Sequence, residues 1–248
     1  MLGDQLERNM ERWYNAVGQR FSVRKYEGAP SEEDMKALWE AAELLSARGV
    51  RITLLRNEAF FSRSLFNYGR IAGTDCLAAI VSNGAEPETV GYLGETFALE
   101  CAAMGIGTCW LGFPQFKRAA LKELTLEEGE KLAIVMAFGV TAEKYVGRPR
   151  KGLDKLTGMS REELINLPEW QQRAIECARL APSARNAQPW EFSADEKGVG
   201  VYRTNDNFGF SRLDCGIAML HVELGAAHCG VSGEWEKTEM GNLFRPVV

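Results

Sequence analysis

The sequence predicts an α+β fold built from two related halves. Its clearest sign is an internal repeat: the stretch Gly91–Trp110 reappears 125 positions later (230 minus 105) as Gly216–Trp235, with glycine, leucine, alanine and tryptophan matched. In addition, helical stretches alternate along the chain with short apolar or β-branched runs that are typical of strands. A repeat this long excludes a solenoid. We therefore interpret it as an internal duplication within one compact chain, residues 1–248, with halves at about 15–150 and 151–248.

Individual elements follow from local patterns. Ser31 is expected to begin a helix, because Glu33 and Asp34 complement the exposed N–H groups of a first turn. Each copy of the repeat predicts a helix rich in small residues, a glycine that ends it, and a short segment leading to tryptophan. Apolar or alternating runs predict strands at 50–55, 76–81, 131–139, 190–194 and 199–203, the last two as a hairpin. Together they predict mixed, mainly antiparallel sheets around central helices.

Composition limits the function. The 248 residues carry a net charge of -5, which argues against a nucleic-acid surface. No apolar run approaches the roughly 20 residues that span a bilayer, and the charged N-terminus does not resemble a signal peptide, so we expect a cytoplasmic protein. The six cysteines form no Cys-x-x-Cys pair, and the two histidines lie too far apart for a helical ligand pair. We expect no metal site.

Two stretches carry chemistry. Arg20, Ser22 and Arg24 alternate, so an extended backbone would place all three on one face, where arginine and serine suit a phosphate. The alternative is an ordinary solvated edge. In the stretch from Ala181 to Trp190, two prolines restrict a loop whose polar side chains could hydrogen-bond a flat ligand. The alternative there is an unspecialised loop.

Three segments resemble motifs of the FMN-dependent nitroreductases. The loop ending at Trp190 resembles the family's Pro-Ser-x-x-Asn-x-Gln-Pro-Trp signature, and Arg20-x-Ser22-x-Arg24 resembles its phosphate motif. The segment 105–112 looks like its turn beside the flavin ring. In the family, however, the loop follows the phosphate motif closely, whereas here it occurs only in the second half. Because family members are homodimers with sites shared between subunits, the resemblance implies a fused pseudo-dimer, monomeric, with one flavin per chain.

The resemblance also implies which residues bind the cofactor. The phosphate would be held by Arg20, Ser22 and Arg24, helped by a later basic pair, Arg150 and Lys151. Asn67 and Arg70 would contact the pyrimidine edge of the flavin ring. Trp110, Leu111 and Gly112 would lie beside its N5 atom. The loop would close the site through Pro182, Ser183, Asn186 and Gln188.

The implied activity is transfer of a hydride from NAD(P)H through flavin N5 to a small electron-poor acceptor of the nitroaromatic or quinone type. Since the flavin carries the hydride, no side chain is assigned a catalytic role. Two alternatives stay open at this point. The chain could store or sense flavin with little turnover, or it could be a pseudo-enzyme without FMN.

Overall fold

The computed structural model describes residues 2–61 and 71–247, and the chain divides into two compact units. The first unit comprises residues 19–147. The second joins the N-terminal residues up to 18 to residues 148–248. Helix α1 (Leu2–Val17) thus belongs to the second unit, whereas the sequence grouped residues from about 15 onward with the first half.

The first unit combines one sheet with three α-helices in its described part. Its strands are β1 (Tyr26–Gly28), β2 (Val50–Arg56), β3 (Cys76–Ser82), β4 (Ile106–Leu111) and β5 (Lys131–Thr141), and its helices are α2 (Glu32–Leu45), α3 (Pro87–Ala103) and α4 (Pro114–Ala120). A short 3₁₀ turn spans Glu58–Phe61. Strand β5 pairs antiparallel with β1, β3 and β4, and β2 adds to the outside of β3.

Local signals account for these helices. Ser31 caps α2 as expected, its hydroxyl accepting a hydrogen bond from the Asp34 backbone at 3.1 Å. Helix α3 is buried along most of its length and packs on β2, β3 and β4. Polar side chains at the buried positions of this helix need hydrogen-bonding or charged partners.

The second unit packs helices on a four-stranded antiparallel sheet. Besides α1 it contains α5 (Leu153–Thr157), α6 (Arg161–Asn166), α7 (Glu169–Arg179) and α8 (Ser211–His228), with strands β6 (Trp190–Asp195), β7 (Gly198–Arg203), β8 (Gly233–Lys237) and β9 (Gly241–Pro246). The sheet order is β6-β7-β9-β8. Two short 3₁₀ turns span Ala184–Asn186 and Asn207–Gly209. A Cβ at Gly225 of α8 would lie 2.6 Å from Ala174 Cα of α7, so glycine allows these helices to approach closely.

The structure agrees with the local predictions, including the five strands and the hairpin, which forms between β6 and β7. Both copies of the repeat contain the same order of elements: α3, Gly105 and β4, then α8, Gly230 and β8. Gly105 (φ +77°) and Gly230 (φ +73°) adopt the left-handed conformation that favours glycine after a helix. The observed class is therefore α+β, with antiparallel sheets, as the sequence predicted. Among the described residues, no helix is both long and apolar enough to cross a membrane.

Candidate functional site

The Arg20–Arg24 segment lies alongside β4 in the first unit. The Val23 N–H donates to Thr108 O at 2.9 Å, and Ser22 forms a parallel bridge with Thr108. A Cβ at Gly107 would lie 2.7 Å from Val23 Cγ2, so only glycine at this position permits such close approach. Two motifs that the sequence identified separately are thus direct neighbours.

Arg20 is buried and forms an ion pair with Glu95 of α3. Its side chain is 5% exposed, and its Nε lies 3.3 Å from Glu95 Oε1, which is itself fully buried. The Trp110 indole donates to Glu95 Oε2 at 2.8 Å. Buried charges require a charged or hydrogen-bonding partner, and Glu95 supplies one. The sequence reasoning missed Glu95, which is one of the three glutamates of α3.

Two buried polar atoms beside this ion pair lack a hydrogen-bond partner among the described residues. They are Arg20 Nη1, a cationic donor, and Thr108 Oγ1, a hydroxyl. Buried polar groups in folded proteins are nearly always hydrogen-bonded. A donor set of this kind suits an anionic or polar ligand, so these atoms fit the phosphate-binding role that the sequence assigned to the segment.

Ser22 and Arg24 are only half-buried, so the three alternate residues do not share one environment. The Arg24 guanidinium turns back to donate to Ser22 O at 3.0 Å. The Glu143 carboxylate accepts from the backbone N–H groups of Arg24 at 2.5 Å and Lys25 at 3.0 Å. Burial acts to raise the pKa of Glu143, but these hydrogen bonds outweigh it and hold the pKa below its usual value. An ionised carboxylate therefore stands next to the basic segment.

The predicted ring-side turn is the end of β4 and the residue after it. Trp110 is half-buried, Leu111 is buried, and Gly112 is exposed. The Cys109 thiol just before them has its pKa raised by burial, although Arg24 and Arg20 oppose this. The thiol therefore stays protonated near neutral pH and is not a reactive group. The predicted contacts Asn67 and Arg70 lie outside the described residues.

The Pro182–Gln188 loop is bound within the second unit to the basic segment before α5. Asn186 Oδ1 accepts from Arg150 Nη1, and Asn186 Nδ2 donates to Pro149 O at 2.8 Å. Arg150 Nη2 donates to Leu180 O at 2.8 Å. Both ends of the Asn186 amide are therefore engaged by protein groups.

Gln188 fixes Lys151 to the same loop. The Lys151 backbone donates to Gln188 Oε1 at 2.7 Å, and its ammonium donates to Gln188 O at 2.8 Å. The Ser183 hydroxyl accepts from Gln188 N at 2.8 Å, and Pro182 is buried. These side chains, which the sequence assigned to a ligand, hold the loop and the basic segment together in this structure.

Asp214 of α8 supports this loop and was also missed by the sequence reasoning. Arg185, Asn186 and Gln188 have φ of +56°, +58° and +49°, a region that costs non-glycine residues about 1 kcal/mol or more each. Asp214 Oδ1 accepts from Ala184 N at 3.0 Å, and its Oδ2 accepts from the Asn207 amide at 2.7 Å. Burial raises the pKa of Asp214 to about 6, although both hydrogen bonds oppose the rise.

Comparison with known proteins identifies the family. A family model described as "Putative TM nitroreductase" matches residues 12–226, which is most of the chain. The chain belongs to this nitroreductase family. A crystal structure of a nitroreductase-type protein from Thermotoga maritima has 19% identity and a TM-score of 0.66, and the match covers 95% of this chain and 93% of that one. At this identity the likeness shows the fold alone.

Two further structures match about half of the chain. A nitroreductase with bound FMN from Desulfitobacterium hafniense has 20% identity and a TM-score of 0.43, covering 54% of this chain and 91% of that one. An NADH dehydrogenase/NAD(P)H nitroreductase-type protein from Parabacteroides distasonis has 16% identity and a TM-score of 0.47. The match covers 58% of this chain and 95% of that one. A comparison with curated proteins found no match.

The predicted site residues that the structure describes form two clusters. One cluster, in the first unit, contains Arg20, Ser22, Arg24 and the end of β4. The other, in the second unit, contains Arg150, Lys151 and the loop that ends at Gln188. The first cluster contains the unpartnered cationic donor, and it is the candidate ligand site that the geometry supports best.

Proposed function

We propose that the chain is an FMN-dependent oxidoreductase. It would take a hydride from NAD(P)H and deliver it to a small electron-poor acceptor such as a nitroaromatic or a quinone. One observation carries the proposal. The buried Arg20, which lies next to β4, has no hydrogen-bond partner for its Nη1 among the described residues, and the chain belongs to the nitroreductase family. The motif resemblance supports FMN as the ligand.

The phosphate of FMN is the group that this cluster is best suited to bind. Arg20 and Arg24 provide guanidinium donors, and Ser22 and Thr108 provide hydroxyls within the same strand-edge segment. Hydrogen bonds between guanidinium and phosphate are charge-assisted and are stronger than neutral ones. Glu143 and Glu95 limit the net positive charge of the cluster, so binding would depend on these directed donors more than on the overall charge.

Trp110, Leu111 and Gly112 are the proposed ring-side contacts. Once bound, FMN supplies two-electron redox chemistry that the side chains themselves lack. The chain's own contribution would be to bind and orient the cofactor and to limit access of water. The roles of Asn67, Arg70, Arg150, Lys151, Pro182, Ser183, Asn186 and Gln188 in the flavin site stay predictions from the sequence.

The proposal includes one FMN per chain in a monomeric, cytoplasmic pseudo-dimer. The internal repeat supports this arrangement, because each half retained a different part of the family's motifs. A duplicated chain would contain within itself the pairing that other members make between two subunits.

Reconstitution with FMN tests the cofactor. We expect purified protein mixed with FMN and desalted to show a flavin absorption spectrum at about one FMN per chain. Arg24→Gln should weaken FMN affinity by about tenfold or more, since it removes a charge-assisted contact. Lys25→Gln is the matched control, because it removes the same charge from an exposed side chain at the neighbouring position. It should change the affinity by less than about threefold, as exposed charges contribute little.

Turnover is tested separately by following NADH and NADPH oxidation with a nitroaromatic or a quinone as acceptor. Oxidation that requires both FMN and the acceptor would support an enzyme. Bound flavin without turnover would overturn the oxidoreductase assignment in favour of a store or sensor. Folded protein that retains no FMN would overturn the whole proposal.

A further inference from the structure

We propose that Glu95 is a positioning residue of the flavin site, fixing the phosphate-binding arginine and the ring-side tryptophan relative to each other. This inference rests on the proposed function. Its basis is the position of one fully buried carboxylate between two predicted cofactor contacts, Arg20 and Trp110. Glu95 itself binds protein groups, so it acts on the cofactor through these two side chains.

The two carboxylate oxygens have different partners. Oε1 lies 3.3 Å from Arg20 Nε, and Oε2 accepts the Trp110 indole N–H at 2.8 Å. A glutamine of the same length has one acceptor oxygen and one NH₂ donor. In the orientation of Glu95, the glutamine side chain can therefore accept a hydrogen bond from only one of these two donors. Its NH₂ group would face the other donor. A carboxylate is required for both contacts together.

Glu95 also determines which part of the Arg20 guanidinium is available. The ion pair occupies the Nε edge, and the buried Nη1 has no partner among the described residues. A guanidinium is planar, so fixing one edge fixes the direction of the remaining donors. The ion pair thereby pre-orients Nη1 and reduces the conformational entropy that would be lost when an anion binds and orders it.

The tryptophan is held from the other side by the absence of a side chain at Gly94. A Cβ there would lie 2.4 Å from Trp110 Cη2 and 2.8 Å from Ile80 Cδ1. The indole ring thus lies against bare helix backbone next to Glu95, with its N–H directed at the carboxylate. Gly94 and Glu95 together fix the ring, and through it the end of β4.

The experiment compares FMN with riboflavin, which lacks the phosphate, as ligands of wild type and Glu95→Gln. Affinity is measured by quenching of flavin fluorescence, and folding by circular dichroism of the flavin-free protein. Because Arg20 would contact the phosphate, we expect Glu95→Gln to reduce the preference for FMN over riboflavin by about tenfold, the equivalent of one charge-assisted hydrogen bond. If Glu95 served only general stability, the substitution would lower the affinities for FMN and riboflavin by the same factor, and that result would overturn the proposal.

A double variant provides a rescue. Trp110→Phe removes the indole N–H, so in Glu95→Gln/Trp110→Phe the single acceptor oxygen of the introduced amide can turn to Arg20. We expect the FMN preference of the double variant to lie within about threefold of that of Trp110→Phe alone, a non-additive result. Additive losses would contradict the shared-carboxylate argument. If Glu95→Gln did not fold, a double variant whose FMN preference falls well below that of Trp110→Phe alone would still overturn the proposal.

Glu223→Gln is the matched control. Glu223 accepts from the Trp235 indole at 3.0 Å in the other copy of the repeat, so the substitution changes a second Trp–Glu pair outside the first unit. It should leave the FMN preference unchanged. Wild type that binds no FMN would defeat the proposed function, whereas wild type that binds FMN with an unaltered preference in Glu95→Gln would defeat this inference alone.

Discussion

The two copies of the helix–glycine–strand repeat bind their tryptophans in related but unequal ways. In the first copy Trp110 donates to Glu95 at 2.8 Å, and in the second Trp235 donates to Glu223 at 3.0 Å. The two glutamates are not equivalent in the repeat. Glu223 aligns with Ala98 (223 minus 125), one helical turn beyond Glu95. Both copies therefore contain a Trp–Glu hydrogen bond, but the glutamate occupies different positions along α3 and α8.

The residue aligned with Gly94 gives the physical reason. It is Met219 (219 minus 125), so the second helix carries a buried side chain where the first has none. At Gly94 even a Cβ would lie within 2.4 Å of the Trp110 ring. An indole cannot lie against the helix at that level in the second copy, which accounts for a partner one turn away. Gly94 therefore gives Trp110 a pocket against the helix backbone that the second copy does not offer at the aligned position, although both tryptophans are half-buried.

Helices α3 and α8 also differ in how they hold a buried acid. Glu95 of α3 is paired with a cation, the Arg20 guanidinium. Asp214 of α8 accepts from neutral groups, the Ala184 N–H and the Asn207 amide. A cation offsets the cost of burying a carboxylate more fully than neutral donors do. These differences between the first and second units should appear in the free energy of unfolding. Three experiments measure them.

The largest effect is expected at the ion pair. Glu95→Ala leaves Arg20 buried without its counter-charge and should lower the free energy of unfolding by about 3–5 kcal/mol, the usual cost of breaking a buried pair. Glu223→Ala, at a half-buried acid, should cost about 1 kcal/mol, that of a single hydrogen bond. Urea denaturation of both variants makes the comparison. Equal losses would show that the two copies are energetically alike.

Asp214 should make stability depend on pH with an unusual sign. Its pKa is about 6 in the folded chain against an ordinary 3.8, so the folded state binds the extra proton between these values. The contribution of Asp214 to the free energy of unfolding is therefore greatest below pH 4. It falls by roughly 3 kcal/mol in total as the pH rises through 6.

Asp214→Asn cannot titrate and removes this dependence. The difference in unfolding free energy between wild type and Asp214→Asn, measured from pH 4 to 7, isolates the group from other acids. A flat difference would mean that neutral donors hold this carboxylate as well as a cation would.

The smallest effect is expected at the glycine. Gly94→Ala gains about 1 kcal/mol of helix propensity but forces the Trp110 ring or Ile80 to move, and overpacking costs about 1–3 kcal/mol. A net loss of about 1–2 kcal/mol is expected in thermal or urea unfolding, with a shift in tryptophan fluorescence. Gly18→Ala is the control, because a Cβ there meets no atom within 4 Å. A stabilised Gly94→Ala would contradict the pocket argument.

Much of the fold could be predicted because it depends on neighbours in sequence. The strands beginning at Val50, Cys76 and Lys131 show local alternation or apolar runs, and Ser31 has its acidic first turn within three residues. The motif around Arg20 could likewise be identified from its own spacing. Glu95 could not be assigned a role in this way, because its partners come from the start of the chain and from β4.

The sequence by itself determined the α+β class, the repeat and the main strands, and it predicted the residues of a phosphate site. Only the tertiary structure decided which donors remain unpartnered among the described residues, since Arg20 Nη1 stays available because Glu95 occupies the Nε edge. It also decided that Asn186 and Gln188 bind the 149–151 segment, and that α1 joins the second unit. The physical reason is that periodicity and turn chemistry act over a few residues, whereas hydrogen-bond and charge partners are selected by packing between distant segments.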